Sequence, residues 1–164
     1  MMSASILAEL EHEAATTRKL LERAPEDRFD WKPHEKSMTL GRLVSHCAET
    51  LKWMDVVVNQ DVFEMDPATY TPFQAGSRSE LLEAFDSNLE SAKEVIRDQS
   101  DEHLFANWQM KSGDTVTLEM PRIGVICGFV LNHLVHHQGQ LSVYLRLNDV
   151  PVPSIYGPSA DEPG

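Results

Sequence analysis

With 164 residues and 41% apolar side chains, the chain can bury a sizeable core, and its composition excludes a disordered protein. Its 26 acidic residues outnumber 14 basic ones, leaving a formal charge of -12. Such a surface repels phosphate backbones and anionic lipid, which argues against nucleic-acid and membrane partners. No run approaches the roughly 18 apolar residues that span a bilayer, and the Glu-rich start lacks the pattern of a signal peptide. Cys47 and Cys127, the only cysteines, fall inside apolar helical patterns and are expected as small buried core residues in a reducing cytoplasm.

Four long helical patterns follow one another within a single expected domain spanning 1–164. The first covers residues 3–24, with Ile6, Leu7, Leu10, Ala14, Thr17 and Leu21 on one face and Pro25 closing it. After a polar connection through Trp31, Pro33 and His34, the second starts near Ser37 or Thr39, either a plausible N-cap. It carries Leu40, Leu43, Val44, Cys47, Leu51, Met54 and Val58 as far as Asn59. A loop with Pro67, Pro72 and Gly76 leads to Ser77 and Glu80, spaced as a capping box, and to a third helix over 79–99. Between Asn107 and Met120 the period shortens around Lys111-Ser112-Gly113-Asp114, predicting a short β-hairpin. Pro121 then opens a fourth helix reaching Asn148, apolar nearly all round from Ile123 to Val135. A helix of that kind is central in the monomer or buried between the subunits of a homodimer.

Three of the seven histidines lie in His133-Leu134-Val135-His136-His137. Residues four apart on a helix have Cβ atoms about 5–6 Å apart, so His133 and His137 can meet one ion about 2.0–2.1 Å from each nitrogen. They share a core-facing stripe with Ile126, Phe129, Val130, Gln140 and Tyr144, while His136 lies about 60° aside. A third ligand must come from another helix, and His46, at the shoulder of the second helix's apolar face, is the candidate. The spacing alone also suits hydrogen-bonded core histidines, and no HExxH motif with its built-in base is present.

Trp31-Lys32-Pro33 is followed by Ser37-Met38-Thr39-Leu40-Gly41-Arg42-Leu43-Val44-Ser45-His46. Asn132-His133-Leu134-Val135-His136-His137-Gln138-Gly139-Gln140-Leu141 comes later, and Pro153-Ser154-Ile155-Tyr156-Gly157-Pro158 closes the chain. Together these resemble the DinB/YfiT-like superfamily of metal-dependent enzymes, over most of the chain in order and spacing. The resemblance implies an all-α, up-down-down-up four-helix bundle, dimerisation, and a metal held by His46, His133 and His137. One departure stands out: Gln138 occupies a position where such proteins commonly carry a basic residue.

Three neutral nitrogens leave an ion with an open position, the pattern of catalytic zinc, and nickel, iron or manganese also suit imidazole. Chemistries of the resembling superfamily include transfer of low-molecular-weight thiols and thiol-dependent isomerisation. The expectation is therefore a metal-dependent thiol S-transferase or hydrolase acting on a small molecule, with zinc or nickel the first choices. Its rival is a non-catalytic, metal-binding dimeric scaffold. Gln140 and Tyr144, on the stripe of the paired histidines, are expected to orient ligands or substrate or simply to satisfy the core. Trp31, Trp53 and Phe73 read as packing aromatics that could wall a pocket. Glu49, about 60° from His46 towards the polar side, reads as a solvated acid, and His12, His34 and His103 as surface histidines.

Overall fold

A computed structural model describes residues 1–66 and 68–163; Pro67, read above as part of a loop, lies outside them. The first helix, α1 (Met2–Glu22), buries Ile6, Leu10, Ala14, Thr17 and Leu21, as its apolar spacing demands, and half-buries Leu7. A single 3-10 turn at Glu26–Arg28 follows Pro25.

Helix α2 (Leu40–Thr50) starts at Thr39, whose side chain accepts the Arg42 N–H. The expected second helix does not run unbroken to Asn59: it breaks at Leu51–Lys52, and α3 (Trp53–Asn59) continues from there. The Thr50 hydroxyl donates to the His46 carbonyl at 2.7 Å, a local bond that bends helices. The next turn tightens, with Lys52 N–H reaching Glu49 C=O at 3.0 Å and Met54 N–H reaching Leu51 C=O at 3.1 Å.

Helix α4 (Arg78–Ile96) is capped by Ser77, which accepts the Glu80 N–H, while the Glu80 carboxylate takes the Gly76 N–H. A short α5 (Asp101–Phe105), capped by Ser100, lies between α4 and the strands that follow.

The expected all-α class needs correction, because the mostly helical chain also builds a three-stranded sheet. Strands β2 (Asn107–Ser112) and β3 (Thr115–Pro121) form the predicted hairpin, turning at Gly113, whose φ of +57° disfavours a Cβ. The third strand, β1 (Val62–Glu64), pairs in parallel with β2, Val62 opposite Gln109. Three residues carry too little periodicity to announce a strand; pairing with a hairpin more than forty positions away makes it one.

The last helical stretch comprises α6 (Arg122–Val125), a π-helical segment Ile126–Asn132 and α7 (His133–Leu147). Arg122 is 2% exposed and donates to Val57 C=O at 3.0 Å and to Gln60 and Asn107 C=O at 3.2 Å each, pairing also with Asp61. One guanidinium thus serves carbonyls left over at the end of α3 and fastens α3, β2 and α6 together. In the core, α1 packs on α4 and α7, α2 on α4 and α7, and α3 on α4, around Leu10, Leu43, Phe85, Leu134 and Leu141. Cys47 is buried as expected, whereas Cys127, on the π-helical segment, is only half-buried. No helix among the described residues is long and apolar enough to cross a membrane.

Candidate metal centre

The packing of α2 against α7 brings His46, His133 and His137 together, with a ligand-capable atom of each within 4.8 Å of the others. His133 and His137, one turn apart, have ring centroids 4.6 Å apart; those of His46 lie 5.0 and 4.7 Å from theirs. The Nε2 atoms of His46 and His133 stand 3.3 Å apart. Two donors about 2.0–2.1 Å from one ion at a tetrahedral angle are separated by about 3.3 Å, so the spacing matches that of paired ligands.

The other ring nitrogens are already engaged. His46 Nδ1 lies 2.9 Å from Glu49 Oε1, and His137 Nδ1 lies 2.7 Å from Gln140 Oε1. These contacts fix the ring planes and turn both Nε2 atoms to the common centre. His137 Nε2 is buried there without a hydrogen-bond partner, the condition a metal would relieve. The donor set and geometry therefore fit a divalent ion: the three histidines could hold one, and no further Cys, Asp, Glu or His joins them among the described residues.

Electrostatics keep the imidazoles ready to coordinate. Burial, then the neighbouring His46, pushes the His133 pKa below the ordinary range. For His137 burial outweighs the bond to Gln140 and, with the adjacent histidines, brings the value to about 4. Both rings are neutral at physiological pH, as ligands must be.

Glu49 is the residue that sequence reasoning misplaced. It is 8% exposed, not a solvated acid. Burial alone would raise its pKa, but bonds from His46, Arg42 and the Phe73 N–H outweigh that and lower it to about 2. It pairs with Arg42 through Oε1 and accepts the Phe73 N–H through Oε2 at 2.8 Å. Arg42 also donates to Phe73 C=O at 3.2 Å, and Ser45 accepts the Ala75 N–H at 3.0 Å. One face of α2 thus straps down residues 73–75 and sets the His46 ring at the same time. The available signal was the spacing Arg42, His46, Glu49, which puts base, ring and acid on one helical face.

Gln140 reaches His137, as described, but Tyr144 does not reach the triad. Its hydroxyl donates to Met38 C=O at 3.1 Å, and its ring meets Trp31 edge-on with centroids 5.6 Å apart. His136 is exposed and lines a shallow cavity of about 420 Å³ with Gly128, Phe129, Asn132 and His133. Gln138, instead of presenting a basic group, is 1% exposed and donates to the Glu13 carbonyl and carboxylate and to Thr17 at 2.9–3.1 Å. His12 and His34 are exposed, whereas His103 is half-buried, its Nε2 donating to Val58 C=O at 2.9 Å.

Known proteins share this fold. The DinB family model matches residues 1–163. The uncharacterized protein YrdA of Bacillus subtilis is 24% identical over 152 residues, covering 93% of this chain and 86% of its own. A DinB-like protein of Bacillus cereus ATCC 10987 superposes with a TM-score of 0.72 at 20% identity, covering 92% of this chain and 95% of that one. The DinB-like protein YjoA of Bacillus subtilis gives 0.68 at 19% identity, covering 90% and 95%. At such identities the two structures speak to the fold alone.

Proposed function

The chain belongs to the DinB family, and from that premise we propose that it is a cytoplasmic, metal-dependent enzyme acting on a small molecule, as a thiol S-transferase or a hydrolase. The observation that carries this reading is a convergent set of three imidazoles with no fourth protein ligand among the described residues. A structural zinc site is usually closed by four protein ligands, whereas three leave a position for chemistry. When bound, a divalent ion supplies Lewis acidity, which lets a thiol or a water react as its conjugate base near neutral pH. Zinc or nickel is the first choice, with iron or manganese also suited to imidazole.

The chain's own residues do the rest. His46, His133 and His137 hold the ion, Glu49 and Gln140 fix the rings of His46 and His137, and the cavity beside His133 and His136 admits the substrate against Phe129. Tyr144 acts at most on substrate, through the Trp31 side of α7. We read the fold as an up-down-down-up four-helix bundle in which α2–α3 and α6–α7 each count as one broken helix. A homodimer goes with it: Val143 and Leu147, one turn apart on α7, are exposed apolar side chains, 55% and 56% accessible. Light scattering that returns the monomer mass of 18.5 kDa at micromolar concentration sinks that assembly.

Metal analysis of tag-free protein tests the centre, with His46→Ala, His133→Ala and His137→Ala each expected to lose bound metal and His136→Ala to retain most of it. Activity is tested by screening electrophiles with several low-molecular-weight thiols, and simple esters without them, on loaded and chelated protein. Metal retained with no turnover above the His133→Ala variant supports the non-catalytic scaffold instead.

A further inference from the structure

Glu49 is also a wall residue of a cavity of about 450 Å³ whose lining includes none of the three histidines. The cavity is assembled from distant parts of the chain. Lys52 comes from the α2–α3 break, Trp53 and Val56 from α3, Phe63 from β1, and Phe73 from the strapped loop. Trp53 and Phe63 meet edge to face, with centroids 5.1 Å apart at 70°. The lining is mostly apolar with a few polar groups, and the volume falls within the range of about 300–1,000 Å³ usual for small-molecule sites.

The charges at this cavity are unequal in availability. The Glu49 carboxylate is committed on both oxygens, to Arg42 and His46 on one side and to the Phe73 N–H on the other. Lys52 is exposed and makes no ion pair or side-chain hydrogen bond among the described residues. A cationic occupant would therefore meet a carboxylate already matched by Arg42, next to a free ammonium that repels it; an anionic occupant would meet the same matched carboxylate and gain the free ammonium. Aromatic walls ask for a flat apolar body.

We propose that this cavity binds a small aryl carboxylate, its ring between Trp53, Phe63 and Phe73 and its anionic group at Lys52. The site is separate from the metal-dependent reading, since it needs no ion and uses none of the three histidines.

The test is calorimetric titration of the full, chelator-treated chain with 1-naphthoate, 1-naphthalenemethanol and 1-naphthylmethylamine. Saturable binding is expected with naphthoate strongest. Lys52→Gln should weaken naphthoate up to about fivefold, the range of an exposed ion pair, and leave the alcohol unchanged. Val56→Trp, which fills the cavity, should abolish binding of both. Because Lys52 is exposed, its variant keeps the fold and decides the matter even where Val56→Trp fails to fold. Tighter binding of the amine, no saturable binding of naphthoate, or naphthoate affinity untouched by Lys52→Gln would each overturn the proposal. Working without metal keeps these outcomes distinct from any failure of the metal centre.

Discussion

Replacing Glu49 by Gln keeps the side chain's shape and removes its charge, and the structure dictates why that is costly. The carboxylate accepts from three donors: Arg42 and His46 on Oε1, and the Phe73 N–H on Oε2. An amide has one acceptor oxygen, so either orientation turns its NH₂ towards a donor and leaves that donor unmatched. With side-chain exposures of 9% for Glu49 and 23% for Arg42, water screens the lost pair only in part. The expected loss of stability is about 1–3 kcal/mol, the cost of a buried group left without its partner. Loosening the His46 ring should also weaken metal binding by about 10–100-fold, the usual effect of losing a carboxylate behind a histidine ligand. Competition against a chromophoric chelator gives the affinity, and urea unfolding of the metal-free protein gives the stability. The two readouts separate fold from site, because an exposed control such as Glu94→Gln should move neither. Wild-type affinity and an unchanged urea midpoint in Glu49→Gln would refute the reasoning.

Tyr156, although its ring is largely exposed, donates its hydroxyl to the buried Glu13 carboxylate, and desolvation of that hydroxyl, the bond and the Glu13 charge raise its pKa above the ordinary tyrosine value. The folded state then holds this proton longer than the unfolded chain does, so its stabilisation is complete below pH 10 and declines as pH rises beyond. Urea midpoints should fall from pH 9 to pH 11 more steeply in the wild type than in Tyr156→Phe, and equal slopes would contradict this. Burial pushes the Cys47 thiol up to about 12, while Cys127 is half-buried. A thiol-specific chromogenic reagent should therefore label one equivalent, at Cys127, in the native protein and the second only on unfolding; prompt labelling in Cys127→Ser would count against it. A Cβ on Gly41 would stand 2.9 Å from Phe29 Cβ and 3.0 Å from Phe29 O, so Gly41→Ala should destabilise by about 1–3 kcal/mol. Chemical denaturation measures it, and a neutral result would mean that the turn around Phe29 yields easily.

The parts of this molecule that were legible in its sequence are those set by local spacing. His133 and His137 declare themselves by a four-residue interval on one helical face, although Phe129 and Gln140 on the same stripe are exposed, and Ser77 and Gly113 by capping and turn chemistry. His46 was placed by the arc it shares with apolar neighbours and by the resemblance of the motif around it. Glu49 was misread because a helical wheel sees only one helix. It faces the polar side of α2, and residues 73–75 fold over that side and make it interior. The same limit hid β1, whose partner is remote, while the break at Leu51–Lys52 was hidden because the three-and-four apolar spacing runs through it unchanged. Tyr144 shares the stripe of the paired histidines, yet a wheel does not say how far along the helix a neighbour ends, and its hydroxyl meets Met38 instead.

The π-helical segment Ile126–Asn132 separates two helical stretches that have different obligations. Before it, α6 must aim Arg122 at the carbonyls ending α3; after it, α7 must aim His133 and His137 at α2. In an uninterrupted α-helix the azimuth of the first would dictate that of the second, at roughly 100° per residue. Widening the coil shifts the phase between them, so each half keeps its own bearing. Winding all seven residues regularly, at roughly 100° each, would swing either the arginine or the histidines off target, because a π-helical turn takes up about one residue more than an α-helical one. Deleting one residue from the segment should therefore restore regular winding while leaving both halves close to their present bearings.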